Sequence, residues 1–228
     1  MSALAPPDPS HPLFNPDSGR HPLPDDPREI AAVLQAAQRS YDMHPYYLAR
    51  YGERGRTFTH SDGGYLVTLT TTWQSYVDEQ ISWLSSLLAA RGMPSWLMET
   101  HLLQLHQALR SKVPEGAARF TKLRRASTRL RKLRCARMAQ ADFDAVADQF
   151  NATAGPGIGN AGGLIAAAVC DERGGSAEAL PTLLKWLADP ARFPPAWCFA
   201  VAQAVVRAQA APIPAAPPVA SRPGGSRG

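Results

Sequence analysis

An all-α helical bundle of about seven to eight helices is the fold this sequence predicts, and three observations lead to it. Apolar residues recur at helical spacing through most of the stretch between Pro27 and Ala211. No alternation of strand and helix patterns runs along the chain. Prolines collect outside that stretch: of 21, eight lie in residues 1–27 and five in 212–228. Proline lacks the N–H that helices and sheets require, so tails 1–26 and 212–228 are expected to be disordered. Residues 27–211 are expected to form a single helical domain; a subdivision, if there is one, falls at the glycine-rich 154–163.

Each element has its own signals. Asp26, Pro27 and Glu29 form a helix start with a capping-box pattern, and Ile30, Val33, Leu34, Ala37 and Tyr41 follow at helical spacing. Pro45 ends that run. A short second helix carries Tyr46, Tyr47 and Tyr51, and a loop covers Gly52 to His60. Ser61 or Asp62 caps a long third helix, marked by Leu66, Leu69, Trp73, Val77, Ile81, Leu84 and Leu88 and stopped by Gly92 and Pro94. The β-branched YLVTLTTTW within it also suits a strand, but the stripe continues for four more turns. Ser95 caps a fourth helix that reaches about Ser111 before Pro114. Residues 116–150 predict one long helix, or two in tandem with a break near Gln140. After the glycine-rich loop, shorter helices are expected near 163–172, 177–189 and 195–210.

Composition excludes several classes. The 228 residues include no apolar run of the roughly 18 needed to span a bilayer. The start, MSALAPPDPS, lacks a basic region followed by an apolar one, so no secretory signal is expected. Three cysteines without close spacing argue against a disulfide framework or a zinc site. A soluble protein of the cytoplasm is the expectation.

The net charge is +5, but its distribution says more. Nine Lys and Arg lie between Arg119 and Arg137 with no acid among them, while the other 15 bases face 19 acids. A charged partner would meet the protein at this segment. Phe120, Leu123, Leu130 and Leu133 give it an apolar seam. Arg124, Arg125, Arg129, Arg131 and Arg134 are the residues predicted to contact an acidic protein surface. The bland alternative is an outer face answered by the protein's own acids. Nucleic acid ranks below protein as a partner, because no aromatic residues alternate with the cations and no turn-plus-recognition-helix pattern surrounds them. Arg124-Arg125-Ala126-Ser127 also resembles a basophilic kinase substrate.

A second candidate is aromatic. All six tyrosines lie within residues 41–76, beside His44, Arg50, Arg54 and Arg56. His44, Tyr46, Tyr47 and Arg50 are predicted to line a pocket for a planar or anionic ligand or a cofactor of unknown identity. The bland alternative is a packed helix junction with hydroxyls at a wet edge.

Other constellations are weaker. A GxGxxG at Gly157, Gly159 and Gly162 lacks the preceding strand that dinucleotide binding requires, so a linker is the expectation. His101 and His106 are about 140° apart on a helix and do not converge on a metal. Cys170 and Cys198 suit a core, and Cys135 lies beside Arg131 and Lys132, which favours a thiolate. The stretch SWLSSLLAARGMP at 82–94 resembles helical segments of bacterial sensory and regulatory proteins, including modules beside cobalamin-binding domains; no cobalamin signature follows it. The sequence therefore predicts a non-enzymatic interaction or regulatory protein acting through its basic helix. A ligand-sensing domain is the alternative, and catalysis comes last, since no nucleophile–base pair is legible.

Overall fold

The structure, a computed structural model, describes residues 8–19 and 21–215. Among them are nine α-helices and no strand. The first, α1 (Pro27–Met43), begins as its sequence prescribes, with the Asp26 carboxylate accepting from the Arg28 N–H at 2.8 Å and Pro27 in the first turn.

The expected loop at 52–60 is helical instead. α2 spans Tyr46–Leu69, and only Gly52, at φ 55°, leaves the helical region. Glycine enters that left-handed conformation at little cost. The helix resumes beyond it, with the Thr57 and Thr59 hydroxyls donating to the Glu53 and Gly55 carbonyls.

The expected long third helix is divided. α3 (Gln74–Ala90) begins only after an interruption at Thr70–Trp73. There the hydroxyls of Thr70, Thr71 and Thr72 donate to the carbonyls of Val67, Thr68 and Leu69, offering the backbone an alternative to helix. Lys122, from the basic helix α5 (Ala117–Cys135), donates to the carbonyls of Thr70 and Thr72 and closes the end. An apolar stripe crosses such a break as readily as it follows a helix, so spacing alone does not reveal it.

α4 (Ser95–Lys112) starts where expected, but Ser95 is its first helical residue rather than its cap. The carboxylate of Asp171, 76 residues along the chain, accepts from both the Ser95 N–H and its hydroxyl. A short turn at Pro114–Gly116 leads to α5. The break before α6 (Gln140–Thr153) falls where the charge order predicts it, with no glycine or proline. The fully buried Met138 anchors it. α7 (Ala161–Arg173), α8 (Ala179–Leu187) and α9 (Pro195–Ala210) complete the fold.

Two apolar cores result. One is built by α1 to α5 around Val33, Leu66, Ile81, Leu102, Leu109 and Phe120. The other is built chiefly by α6 to α9 around Phe143, Phe150, Leu164, Ile165, Leu183 and Trp197, and it also takes Tyr46 and Leu97. The glycine-rich loop lies within the second core rather than between the two. α7 is buried from Ala161 to Asp171, as expected of a helix apolar on every face.

Its glycines serve that burial. A Cβ on Gly162 would lie 2.8 Å from Ala147 Cα, and one on Gly157 would lie 2.1 Å from the Trp197 ring. The GxGxxG is thus a close-packing device between helices, not a phosphate cradle.

The N-terminal stretch is a further departure. Residues 8–19 and 21–26 form an irregular strap packed on α2, instead of belonging to a disordered tail that reaches residue 26. Leu13 is fully buried and His11 Nε2 lies 3.0 Å from the Pro24 carbonyl. Gly64 makes the approach possible, since a Cβ there would meet Leu23 and Leu13 at 2.8 and 3.0 Å. Leucines and bonding side chains between the prolines anchor the strap, which proline content alone conceals. Of the other expected tail, 212–215 is irregular and 216–228 lies outside the described residues.

Gly162→Ala tests the packing role. Overfilling that contact is expected to lower unfolding free energy by about 1–3 kcal/mol in urea denaturation, and an unchanged midpoint would contradict it.

Candidate functional site

The kink at Gly52 does not interrupt one face of α2. Tyr47, Tyr51, Gly55, Phe58, Asp62 and Tyr65 follow one another three or four residues apart, so they stand in a row. Opposite them stand Gln80, Trp83, Leu84, Leu87 and Leu88 of α3, with Arg91 and Met93 beyond its end and strap residues 17–19 and 21 at the side. The cleft between has a volume of about 790 Å³, within the range of small-molecule sites.

The strap is tied to this wall. His21 Nε2 lies 3.2 Å from both the carbonyl and the hydroxyl oxygen of Ser61, and its ring meets Tyr65 edge-on at 5.0 Å.

At the inner end, Tyr47, Asp62, Leu88 and Met93 also line a smaller chamber of about 40 Å³. Its other polar walls are Ser40 and Tyr41 of α1, His44, Thr59 and His101. Burial governs the protonation of these groups. It lowers His44 and His101 to about 4, so both are neutral where an exposed imidazole would titrate. It pushes the Asp62 carboxyl up to about 6, against the pull of Arg91. It also raises the phenols of Tyr41 and Tyr47 above their ordinary value. His44 Nδ1 and the Tyr41 hydroxyl are buried without a hydrogen-bond partner.

The structure separates the four residues predicted to share a pocket. Tyr47 lines cleft and chamber, and His44 lines the chamber. Tyr46 and Arg50 line neither. Tyr46 is fully buried and donates to the Gly92 carbonyl. Arg50 reaches the Tyr46 hydroxyl at 2.5 Å and the Thr182 carbonyl at 3.0 Å. Together they brace α2 against the α3–α4 turn and α8. Tyr46 and Arg50 are four residues apart and share a face about 100° from that of Tyr47, so the helix itself separates them from the cavities.

Sequence reasoning missed Asp62 as anything but a helix cap, and it missed Trp83, which is 58% exposed on the cleft wall. The row from Tyr47 to Tyr65 was the available signal, obscured by the loop assigned to its middle. His101 was weighed only against His106. Its actual partner is Ser40 of α1, at 2.9 Å.

The basic helix divides between inward and outward roles. Arg134 is 3% exposed and bound to the Glu99 carboxylate by two hydrogen bonds of 2.9 and 3.1 Å, so it is not a contact for any partner. Arg129 pairs with Asp78 at 3.3 Å, and Arg119 pairs with Glu29 while donating to the Thr70 hydroxyl at 3.0 Å. Arg124, Arg125, Arg131 and Lys132 are exposed and, among the described residues, form no ion pair. Ser127 is buried with its hydroxyl donating to the Glu99 carbonyl at 2.8 Å, which closes it to a kinase.

Among the described residues, no group of three or more His, Cys, Asp or Glu is arranged to hold a metal ion, and no helix is long and apolar enough to cross a membrane. All three cysteines are free, and burial pushes the Cys170 thiol up to about 11. No family model, curated protein or solved structure matches this chain.

The raised Asp62 carboxyl makes a signed prediction. A carboxyl with a folded pKa above its ordinary 3.8 contributes stability at low pH and loses that contribution as pH rises through about 6. Asp62→Asn is therefore expected to stabilise the protein by about 1–3 kcal/mol near pH 8 and to change little near pH 4. Urea unfolding at the two pH values checks this; an equal effect at both would contradict it.

Proposed function

We propose that this protein is a non-enzymatic, ligand-binding helical domain whose site is the cleft between α2 and α3. The observation that carries this reading is a cleft of about 790 Å³ walled by Tyr47, Tyr51, Phe58, Tyr65 and Trp83, with the half-buried carboxyl of Asp62 at its inner end. Aromatic faces supply large apolar contact area, and few convergent polar groups give orientation. An unpaired carboxyl held up by burial lowers stability, a cost that folding alone does not call for and that function commonly explains. A sensing or regulatory role fits, because Asp17, Ser18, Gly19 and His21 of the strap form part of the wall and ligand contact bears directly on them. The three free thiols suit a reducing compartment such as the cytoplasm.

A second reading rests on the outward face of α5. Arg124, Arg125, Arg131 and Lys132 support docking of an acidic protein surface there, in place of the set that included Arg129 and Arg134. The chain segments outside the described residues contain no acid that could answer these cations.

Native mass spectrometry on protein isolated from its own source, at modest salt, tests both readings. A retained small molecule of a few hundred daltons, lost in Trp83→Ala, is the expected result. A polypeptide released as salt rises would favour the α5 face instead. Bare protein, with a thermal midpoint unmoved by every aromatic ligand tried, would overturn the cleft.

A further inference from the structure

The hydrogen-bond network fixes what the inner chamber offers a ligand. The Thr100 hydroxyl has one proton and two backbone carbonyls within reach, Trp96 at 3.1 Å and Leu97 at 3.0 Å. Carbonyls only accept, and the arrangement that satisfies the most groups directs that proton to one of them. The 3.0 Å contact between Thr100 Oγ1 and His44 Nε2 is then completed by the imidazole N–H. A neutral imidazole carries a single such proton. His44 Nδ1 is therefore a bare lone pair, in a side chain 1% exposed, without a partner.

The same reasoning fixes His101. Ser40 donates its hydroxyl proton to the Ala36 carbonyl at 3.0 Å, so it accepts from His101 Nδ1 at 2.9 Å. His101 Nε2 is left as an acceptor. Asp62 adds a carboxylate that, among the described residues, has no cation within ion-pair distance. The chamber thus offers two imidazole lone pairs and one negative charge, beside the phenolic hydroxyls of Tyr41 and Tyr47, and no Lys or Arg lines it. Arg54 and Arg91 line only the outer cleft, where both are exposed to water.

Resting on the reading of the cleft as a ligand site, we infer that it takes a primary amine with a flat apolar body, the ammonium group entering the chamber and the body lying in the outer cleft. The chamber's volume of about 40 Å³ suits one small head group. A water there brings two protons and no charge. An ammonium brings three donors, for His44 Nδ1, His101 Nε2 and the Asp62 carboxylate, together with the positive charge Asp62 otherwise lacks. The hydroxyl oxygens of Tyr41 and Tyr47, in the same lining, are further acceptors for it. A carboxylate or phosphate head would face the Asp62 carboxylate and the two imidazole lone pairs, so the site discriminates by repulsion as well as attraction. Beyond the chamber, Tyr51, Phe58 and Trp83 present the apolar surface that a planar body stacks on.

Calorimetric titration of the full chain with tryptamine, tryptophol and indoleacetate tests this, because the three share one body and differ in head group. Tryptamine is expected to bind at least tenfold more tightly than tryptophol, with indoleacetate weakest. Asp62→Asn, which keeps the shape and removes the charge, is expected to cost tryptamine about 10–100-fold while leaving tryptophol within about threefold. Equal binding of tryptamine and tryptophol would overturn the amine assignment and leave the cleft itself standing. Binding of none of the three would also overturn it, and the cleft is then judged separately by the retained mass on the source-isolated protein.

Discussion

The buried ion pair between Arg134 and Glu99 is the contact on which the remaining arrangement depends. It lies where the two apolar cores meet, with side chains 3% and 8% exposed. Arg134 ends α5, Glu99 belongs to α4, and the guanidinium also donates to Gln140 of α6 at 3.0 Å while stacking over the Phe143 ring at 4.4 Å. A buried pair adds little stability over an apolar substitute, but one member left alone is costly, by about 3–5 kcal/mol. What the pair supplies is register. It fixes the rotation of α4, a helix buried on most of its surface between α1, α5 and α7.

That rotation reaches the candidate site. Successive helical residues are about 100° apart. With Glu99 turned toward α5 and α6, His101 faces α1 and finds Ser40, and Thr100 between them meets His44. The chamber's lone pairs are thus a consequence of how the polar residues of a buried helix are distributed. Each must find a partner or carry a cost, and His44 Nδ1 and the Tyr41 hydroxyl, which both belong to chamber residues, are among the buried atoms that find none.

Helix existence was legible from the sequence because apolar spacing and capping chemistry are local. α1, the start of α4 and the break before α6 follow from Asp26, Pro27, Pro94 and the order of charges. The interruption at Thr70–Trp73 was not legible, since an apolar stripe does not record a break and the closing cations come from Lys122 and Arg119, far along the chain. The charge run was legible as a run but not as a surface: pairing with Glu99, Glu29 and Asp78 is a property of the neighbouring helices. The aromatic cluster was legible as a candidate pocket, but not which of its members line a cavity. Tyr47 and His44 line the cavities, whereas Tyr46 and Arg50, four residues apart on another face of the same turn, form a brace, because neighbouring helical residues point about 100° apart.

That two buried imidazoles present bare lone pairs to the chamber is tested most directly by their protonation. Nitrogen NMR of selectively labelled protein near neutral pH is expected to show both rings neutral, with His44 carrying its proton on Nε2 and His101 carrying its proton on Nδ1. Their titration is expected to fall well below that of an exposed histidine, near 4. Charged rings at neutral pH, or the opposite tautomers, would place donors where the account requires lone pairs and would contradict it.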